Sequence, residues 1–234
     1  MRIVLLCSAV LLIASAAFAA DPNLFGKGWA DGHAASDVIW SQPADGSAAL
    51  ASQNFEAAYD AYDCWGADDV KFTKASFYVT DVHVFGEFRY GTEIPKGYFV
   101  RVFDDNGGKP GSVIYNDYAK VKTAEWSWVL TNKFLANQNK VYWFSFQADL
   151  PFAEANGGQW YWEATQKITG VEGKWQNPGG GFGMGVNWID AGDLVGLNVD
   201  WAFELTGYVV PEPGTTALLG TLLLGVGGLL WRRK

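Results

Sequence analysis

The stretch FVRVFDDNGGKPGSVIY, running from Phe99 to Tyr115, contains two apolar runs on either side of a turn. Tyr98, Val100 and Val102 alternate with Phe99, Arg101 and Phe103, which is the period of two expected of a strand with one buried face. Asp105-Asn106-Gly107-Gly108 and Lys109-Pro110-Gly111 follow. Glycine and asparagine tolerate positive φ and proline presets φ, so the chain reverses there and a second strand begins near Ser112.

The same period recurs on both sides of this hairpin. Val82, Val84 and Phe88 share one face of 81–88. Trp126, Trp128 and Leu130 alternate with Glu125, Ser127 and Val129, and Tyr142, Phe144 and Phe146 with Trp143, Ser145 and Gln147. Trp160 and Trp162 flank Tyr161, while Trp201, Phe203 and Leu205 alternate with Asp200, Ala202, Glu204 and Thr206. Gly-rich turns at 156–158 and 177–181 separate these runs. Many short strands with no helical period between them predict an all-β fold, a single antiparallel β-sandwich of the jelly-roll kind. No Pro, Ser or charge-rich linker divides residues 20–208, so one domain is expected there.

The first 20 residues, MRIVLLCSAVLLIASAAFAA, carry one charge at Arg2, an apolar run from Ile3 to Ile13 and a small-residue end. This is the plan of a secretory signal peptide, 1–19, with Ala17 and Ala19 set for signal peptidase and Ala20 opening the mature chain. Cys7 lies too early in the run to be a lipidation site. Removing Arg2, the last three cations and Glu212 leaves 13 Lys and Arg against 24 Asp and Glu, about −11 for the exported domain. Such a surface repels the phosphates of nucleic acids and anionic lipids and argues against nucleic acid as a partner. Cys64 is the single cysteine of the mature chain, so no internal disulfide forms. It is either a small buried hydrophobe or the site of an intermolecular bridge.

The chain ends in VVPEPGTTALLGTLLLGVGGLLWRRK, residues 209–234. Residues 215–231 carry no charge and rise about 25 Å as a helix, close to the ~30 Å of a bilayer core. A transmembrane helix is therefore expected over 215–231. Trp231 suits the headgroup level, and Arg232, Arg233 and Lys234 hold the end on the cytoplasmic side. Five glycines between Gly214 and Gly228 weaken the helix. Ahead of it, Val210, Pro211, Glu212 and Pro213 stay extended, because each proline fixes its own φ and restricts the residue before it.

Taken in order, the Pro-Glu-Pro motif at 211–213, the Gly-rich span and the basic end resemble the PEP-CTERM sorting signal of bacteria that make extracellular polysaccharide. The resemblance implies recognition by exosortase, a membrane cysteine peptidase or transpeptidase that removes the tail near Pro-Glu-Pro. It implies an inner-membrane-anchored precursor and a mature protein at the cell surface or outside it, associated with extracellular polysaccharide or biofilm. The hairpin at 99–115 is also similar to a strand–turn–strand unit of secreted bacterial β-sandwich ectodomains that carry such tails.

Residues with catalytic chemistry are sparse. His33 and His83 are the two histidines, with no nucleophile elbow beside either and no zinc-ligand spacing. Glu125, Glu163 and Glu204 are conceivable members of a glycosidase pair, which needs two carboxylates across a cleft. A secreted hydrolase is thus the weakest reading, and the chain is expected not to be an enzyme and to need no cofactor. Asp104, Asp105 and Asn106 on one turn, and Asp68 with Asp69 before a strand, are weak calcium candidates. Acidic turns also satisfy their own backbone. Of the 12 tryptophans, Trp65, Trp175 and Trp188 lie near Gly-rich loops, where they would stack on sugar rings. Trp128, Trp162 and Trp201 alternate as core residues do. The expectation is a surface or matrix protein, with a carbohydrate-binding module as the alternative.

Overall fold

A computed structural model describes residues 37–89, 95–120, 127–153 and 157–211. The chain divides into units 1–35 and 36–234, and all described residues belong to the second. The signal peptide with Ala17, Ala19 and Ala20, His33, Glu125, Trp126, Glu212, Pro213, the 215–231 segment and the Arg232–Lys234 end lie outside the described residues.

The described chain is nearly all strand. It opens with β1 (Asp37–Gln42), β2 (Ala49–Ala51) and β3 (Gln53–Asn54), followed by a 3-10 turn at Ala57–Tyr62 and β4 (Trp65–Lys71). Next come β5 (Phe77–Val84), β6 (Gly86–Arg89), the hairpin β7 (Gly97–Asp105) and β8 (Pro110–Lys120), then β9 (Ser127–Ala136) and β10 (Val141–Asp149). The remainder is β11 (Gln159–Thr165), β12 (Lys174–Gln176), β13 (Ile189–Asp190), one helical turn α1 (Gly192–Val195), β14 (Asp200–Trp201) and β15 (Phe203–Val209).

One layer is the sheet β13-β12-β4-β10-β7-β8, with β3 added in parallel to the end of β10. The other is β1-β15-β5-β9, continued by a smaller sheet in which β14, β2 and β6 pair with β11. Every pair but β3–β10 is antiparallel, and the two layers close on an aromatic core as an all-β sandwich.

Alternation decides the inner face. Tyr98, Val100 and Val102 are fully buried, as are Phe144 and Phe146, and Trp128 and Leu130 face inward while Val129 between them is 69% exposed. Phe144 and Phe146 meet Phe203 of the opposite layer at 6.3 and 5.5 Å, and Trp162 stacks on Trp201 at 5.0 Å and 22°. Both indoles of this stack are hydrogen-bonded: Trp162 Nε1 donates to the Ala202 carbonyl at 2.8 Å and Trp201 Nε1 to that of Lys174 at 2.9 Å. A bulge between Val79 and Asp81 lets Val79 and Val82, three residues apart, both point inward.

Two runs read as single strands are each broken and shared between sheets. Residues 81–88 leave the β15 sheet at Phe85 and rejoin as β6 beside β11, and 200–206 make the reverse passage at Ala202, from β14 beside β11 into β15. Three hydrogen bonds knit the corner: Phe85 N–H to Ala202 O at 3.2 Å, Ala202 N–H to Glu163 O at 2.9 Å, and Glu163 N–H to Phe85 O at 2.9 Å. Gly86 makes the break possible, because a Cβ there would collide with the Trp160 indole. On β10 the alternation also misses something. Trp143, Ser145 and Gln147 point away from the core yet are all buried: Trp143 joins Ala67 and Phe103 in a second apolar cluster against Trp188, and the Gln147 amide donates to the Gln53 and Cys64 carbonyls at 3.2 Å each.

Candidate functional site

Phe55, Tyr59, Tyr62, Phe152 and Phe182, with Gln159, line a cavity of about 240 Å³. The five rings form one connected cluster, with Phe55 also meeting Tyr62 at 6.5 Å. Tyr59 meets Tyr62 at 6.4 Å, Tyr62 meets Phe182 at 5.2 Å, Phe182 meets Phe55 at 6.5 Å, Phe55 meets Phe152 at 6.1 Å and Phe152 returns to Tyr59 at 5.5 Å. Successive planes are inclined at 51–80°, so the rings wall the space instead of stacking across it. The volume lies below the ~300–1,000 Å³ of pockets that enclose drug-sized ligands and suits one ring or a small headgroup.

Each wall has its own support. Glu56 accepts the N–H groups of Phe152 at 2.6 Å and Ala153 at 2.9 Å. Burial alone would raise its pKa, but these hydrogen bonds outweigh it and hold the carboxyl below its ordinary range. The fully buried Gln53 donates to Leu150 O at 2.7 Å and accepts the Trp160 N–H at 2.8 Å, tying together the ends of the segment that bears Phe152 and Gln159. Asn177, also fully buried, donates to Ala61 O and Asp63 O at 2.8 Å each and accepts the Phe182 N–H at 3.0 Å. It clamps the Gly-rich loop to the 3-10 turn and so sets Phe182 beside Tyr62. Phe55 forms the buried floor and Tyr62 is 39% exposed at the mouth.

The tryptophans singled out for sugar stacking are not brought together. Trp175 is corrected outright: its place in β12 turns the indole inward, 3% exposed, with Nε1 donating to Ala51 O at 2.8 Å and the ring behind Phe182 at 6.1 Å. Trp65 is half-buried and carries the Arg101 guanidinium over its ring at 5.2 Å, with Phe99 also 5.1 Å from that group. Arg101 Nη1 donates to Gln147 Oε1 at 2.9 Å. Trp188 is half-buried with its ring edge-on to Phe103 at 5.6 Å and 85°. The sequence reading missed Phe55, Tyr59 and Tyr62, whose spacing of four and three is that of a helical turn; a search for period two passes over it.

The acidic candidates serve the backbone. Asp104 accepts the Ser112 N–H, and Asp105 Oδ1 accepts the Gly108 N–H at 3.1 Å and Trp143 Nε1–H at 2.9 Å, while Asn106 N–H meets Lys109 O at 2.9 Å. Asp68 Oδ2 accepts Gln42 Nε2–H at 2.8 Å and the Trp201 N–H at 2.5 Å, and Asp69 Oδ1 accepts the Val171 N–H at 2.7 Å. Among the described residues, no three His, Cys, Asp or Glu side chains converge on a metal-sized space.

Asp200, read as the polar face of its strand, is fully buried. Its Oδ2 accepts the Thr169 N–H at 2.5 Å, and Oδ1 has no hydrogen-bond partner. Burial first, then the Asp69 and Glu172 charges, push it up to about 7 against the backbone donors that lower it. Asp68 is raised well above its ordinary value by burial, with Asp200 the next cause.

Glu163 is raised by burial and by the neighbouring charge of Glu87, whereas Glu204 accepts Ser41 Oγ–H at 2.7 Å on another sheet. His83 lies edge-on to Phe85 at 4.7 Å. Cys64 is fully buried, its thiol pushed up to about 12 by that burial and its Sγ–H directed at Ala51 O, which excludes an intermolecular bridge in the folded domain.

Fold and cavity together define an all-β domain with a small aromatic-walled hollow. Its address is written in the tail: residues 209–234 match the PEP-CTERM protein-sorting motif, which implies export and processing by exosortase. No curated protein matches the chain. Among the described residues no helix is long and apolar enough to cross a membrane, and 215–231 lies outside them.

Proposed function

We propose that the chain is a non-catalytic surface or matrix protein, released or attached outside after exosortase acts, whose domain binds extracellular polysaccharide through the aromatic cavity. The observation that carries the reading is the cavity of about 240 Å³ lined by five aromatic rings. A pyranose presents a face of C–H groups, and burying that face on aromatic carbon is favourable at about 25 cal/mol per Å². Gln159 gives the wall a polar group, and Tyr59 and Tyr62 bring hydroxyls. This site replaces the Trp65, Trp175 and Trp188 platform read from the sequence.

Affinity electrophoresis of the full chain in gels cast with acidic, neutral or cationic polysaccharides tests the reading. Retardation by at least one of them, relieved by Tyr59→Ala with Tyr62→Ala, is the expected result. Equal mobility in every gel, with and without calcium, overturns it.

A further inference from the structure

Resting on the polysaccharide reading, we propose that the unit held in the cavity is a hexosamine with a free ammonium group, so that the partner is a cationic glycan and not an acidic or neutral one. Two features of the cavity point the same way.

The first is the wall itself. The face of an aromatic ring is the negative pole of its quadrupole, and a cation within about 6 Å of a ring centroid is attracted to it. Five aromatic rings line one small space, so an ammonium group held there lies close to more than one of them. A carboxylate meets the same quadrupoles with the opposite sign. A neutral ring gains only the apolar contact.

The second is the charge beside the mouth. The turn that presents Tyr59 and Tyr62 also bears Glu56, Asp60 and Asp63, and no Lys or Arg lies between residues 55 and 65. Asp60 is exposed. Two cations face this turn from neighbouring elements, Lys96 toward Glu56 and Arg101 toward Asp63. Arg101 is already engaged by Gln147 and by the rings of Trp65 and Phe99. Beyond the turn, the exported domain carries about −11 by its residue count, so the wider field also gathers cations and turns away uronate or sulfate chains.

The test is calorimetric titration of the full chain in detergent at pH 6 with four hexasaccharides: β-1,4-glucosamine, its N-acetylated counterpart, a neutral β-1,4-glucan and a uronate oligomer. The glucosamine oligomer is expected to bind at least tenfold tighter than the other three, and to weaken between 50 and 300 mM NaCl. Tyr62→Ala is expected to remove that binding, and Asp60→Asn to weaken it severalfold. Tyr62→Phe, which keeps the ring, is expected to retain it, separating loss of the wall from loss of the fold. Equal or tighter binding of the N-acetylated or neutral oligomer overturns the cationic assignment and leaves the polysaccharide reading standing. Glucosamine binding that survives Tyr62→Ala overturns the assignment to this cavity. Absence of binding to all four, and to longer polymers of each kind, overturns both.

Discussion

The Phe182 N–H donates to Oδ1 of the fully buried Asn177 at 3.0 Å, while the other half of the same amide donates to the carbonyls of Ala61 and Asp63. One side chain thus holds two walls of the cavity at a fixed separation. Replacing Asn177 by Ala orphans the Asp63 carbonyl and the Phe182 N–H, while the Ala61 carbonyl keeps the Gly181 N–H at 2.7 Å; each orphaned group costs about 1–3 kcal/mol when left unsatisfied in the interior. Urea denaturation should show a loss of about 2–4 kcal/mol, and glycan retardation should disappear even where the variant is fully folded. An unchanged midpoint would show that water or a neighbour replaces the amide.

Gly66 lies under the indole of Trp201, where an added Cβ would stand 2.6 Å from Cε2. Gly66→Ala must therefore displace a ring that stacks on Trp162. Overpacking of this kind costs about 1–3 kcal/mol, and the near-ultraviolet dichroism of the tryptophans should change with it. A variant with the original spectrum and stability would contradict the close approach.

Stability should fall as pH rises through neutrality. Asp200, raised to about 7, and Asp68, raised well above the ordinary range, are more readily protonated folded than unfolded. Their contribution is complete below the unfolded value near 4 and is lost as pH passes the folded values. Asp69 and Glu163 are raised too and act in the same direction. Facing the pair are Asp69 and Glu172, with Lys174 paired to Asp190 and Asp105 beyond Asp69. Asp45, held at about 2 by hydrogen bonds from Ser47 and Gln166, acts oppositely and matters only below pH 4. The melting temperature should drop between pH 5 and pH 8, about 2–4 °C for each kcal/mol lost, and Asp200→Asn should flatten the curve. A wild-type curve flat across this interval would refute the assignment.

Cys64 should be silent toward aromatic disulfide reagents at pH 8 in the folded protein and react fully in urea, because its thiol is buried and raised to about 12. Rapid native labelling would mean that the segment around the Gln53–Cys64 bridge opens readily.

Pro211→Ala with Glu212→Ala should leave the tail on the protein in a host that has exosortase. Intact mass spectrometry reads this directly. A variant trimmed to the wild-type mass would show that cleavage does not depend on the motif.

The period of two was enough to find most strands, their inner faces and the sandwich. It failed at Phe85 and Ala202, because a strand that changes sheets keeps its alternation while exchanging hydrogen-bond partners. It also failed at Asp200, whose burial depends on the Thr169–Gly173 segment folding over it, a contact with no local signature. The sorting motif was legible because it works as a linear signal. The cavity was not, because its rings come from three distant segments that meet only once Asn177 joins the 177–182 loop to the 3-10 turn. Trp175 misled for a related reason: closeness to a Gly-rich loop in sequence says nothing about which side of a strand a ring occupies.

The last strand among the described residues, β15, is flanked on both sides and runs antiparallel to each neighbour, paired with β1 as far as Gly207 and with β5 as far as Val209, where the sorting tail begins. A domain tethered through that tail and pulled from outside is strained lengthwise along β15. The hydrogen bonds on its two borders are then sheared together and not peeled one at a time, so resistance rises with the number acting in concert. A protein that grips polymer beyond the cell while still fastened at its C-terminus would be drawn along the direction in which this sheet yields least.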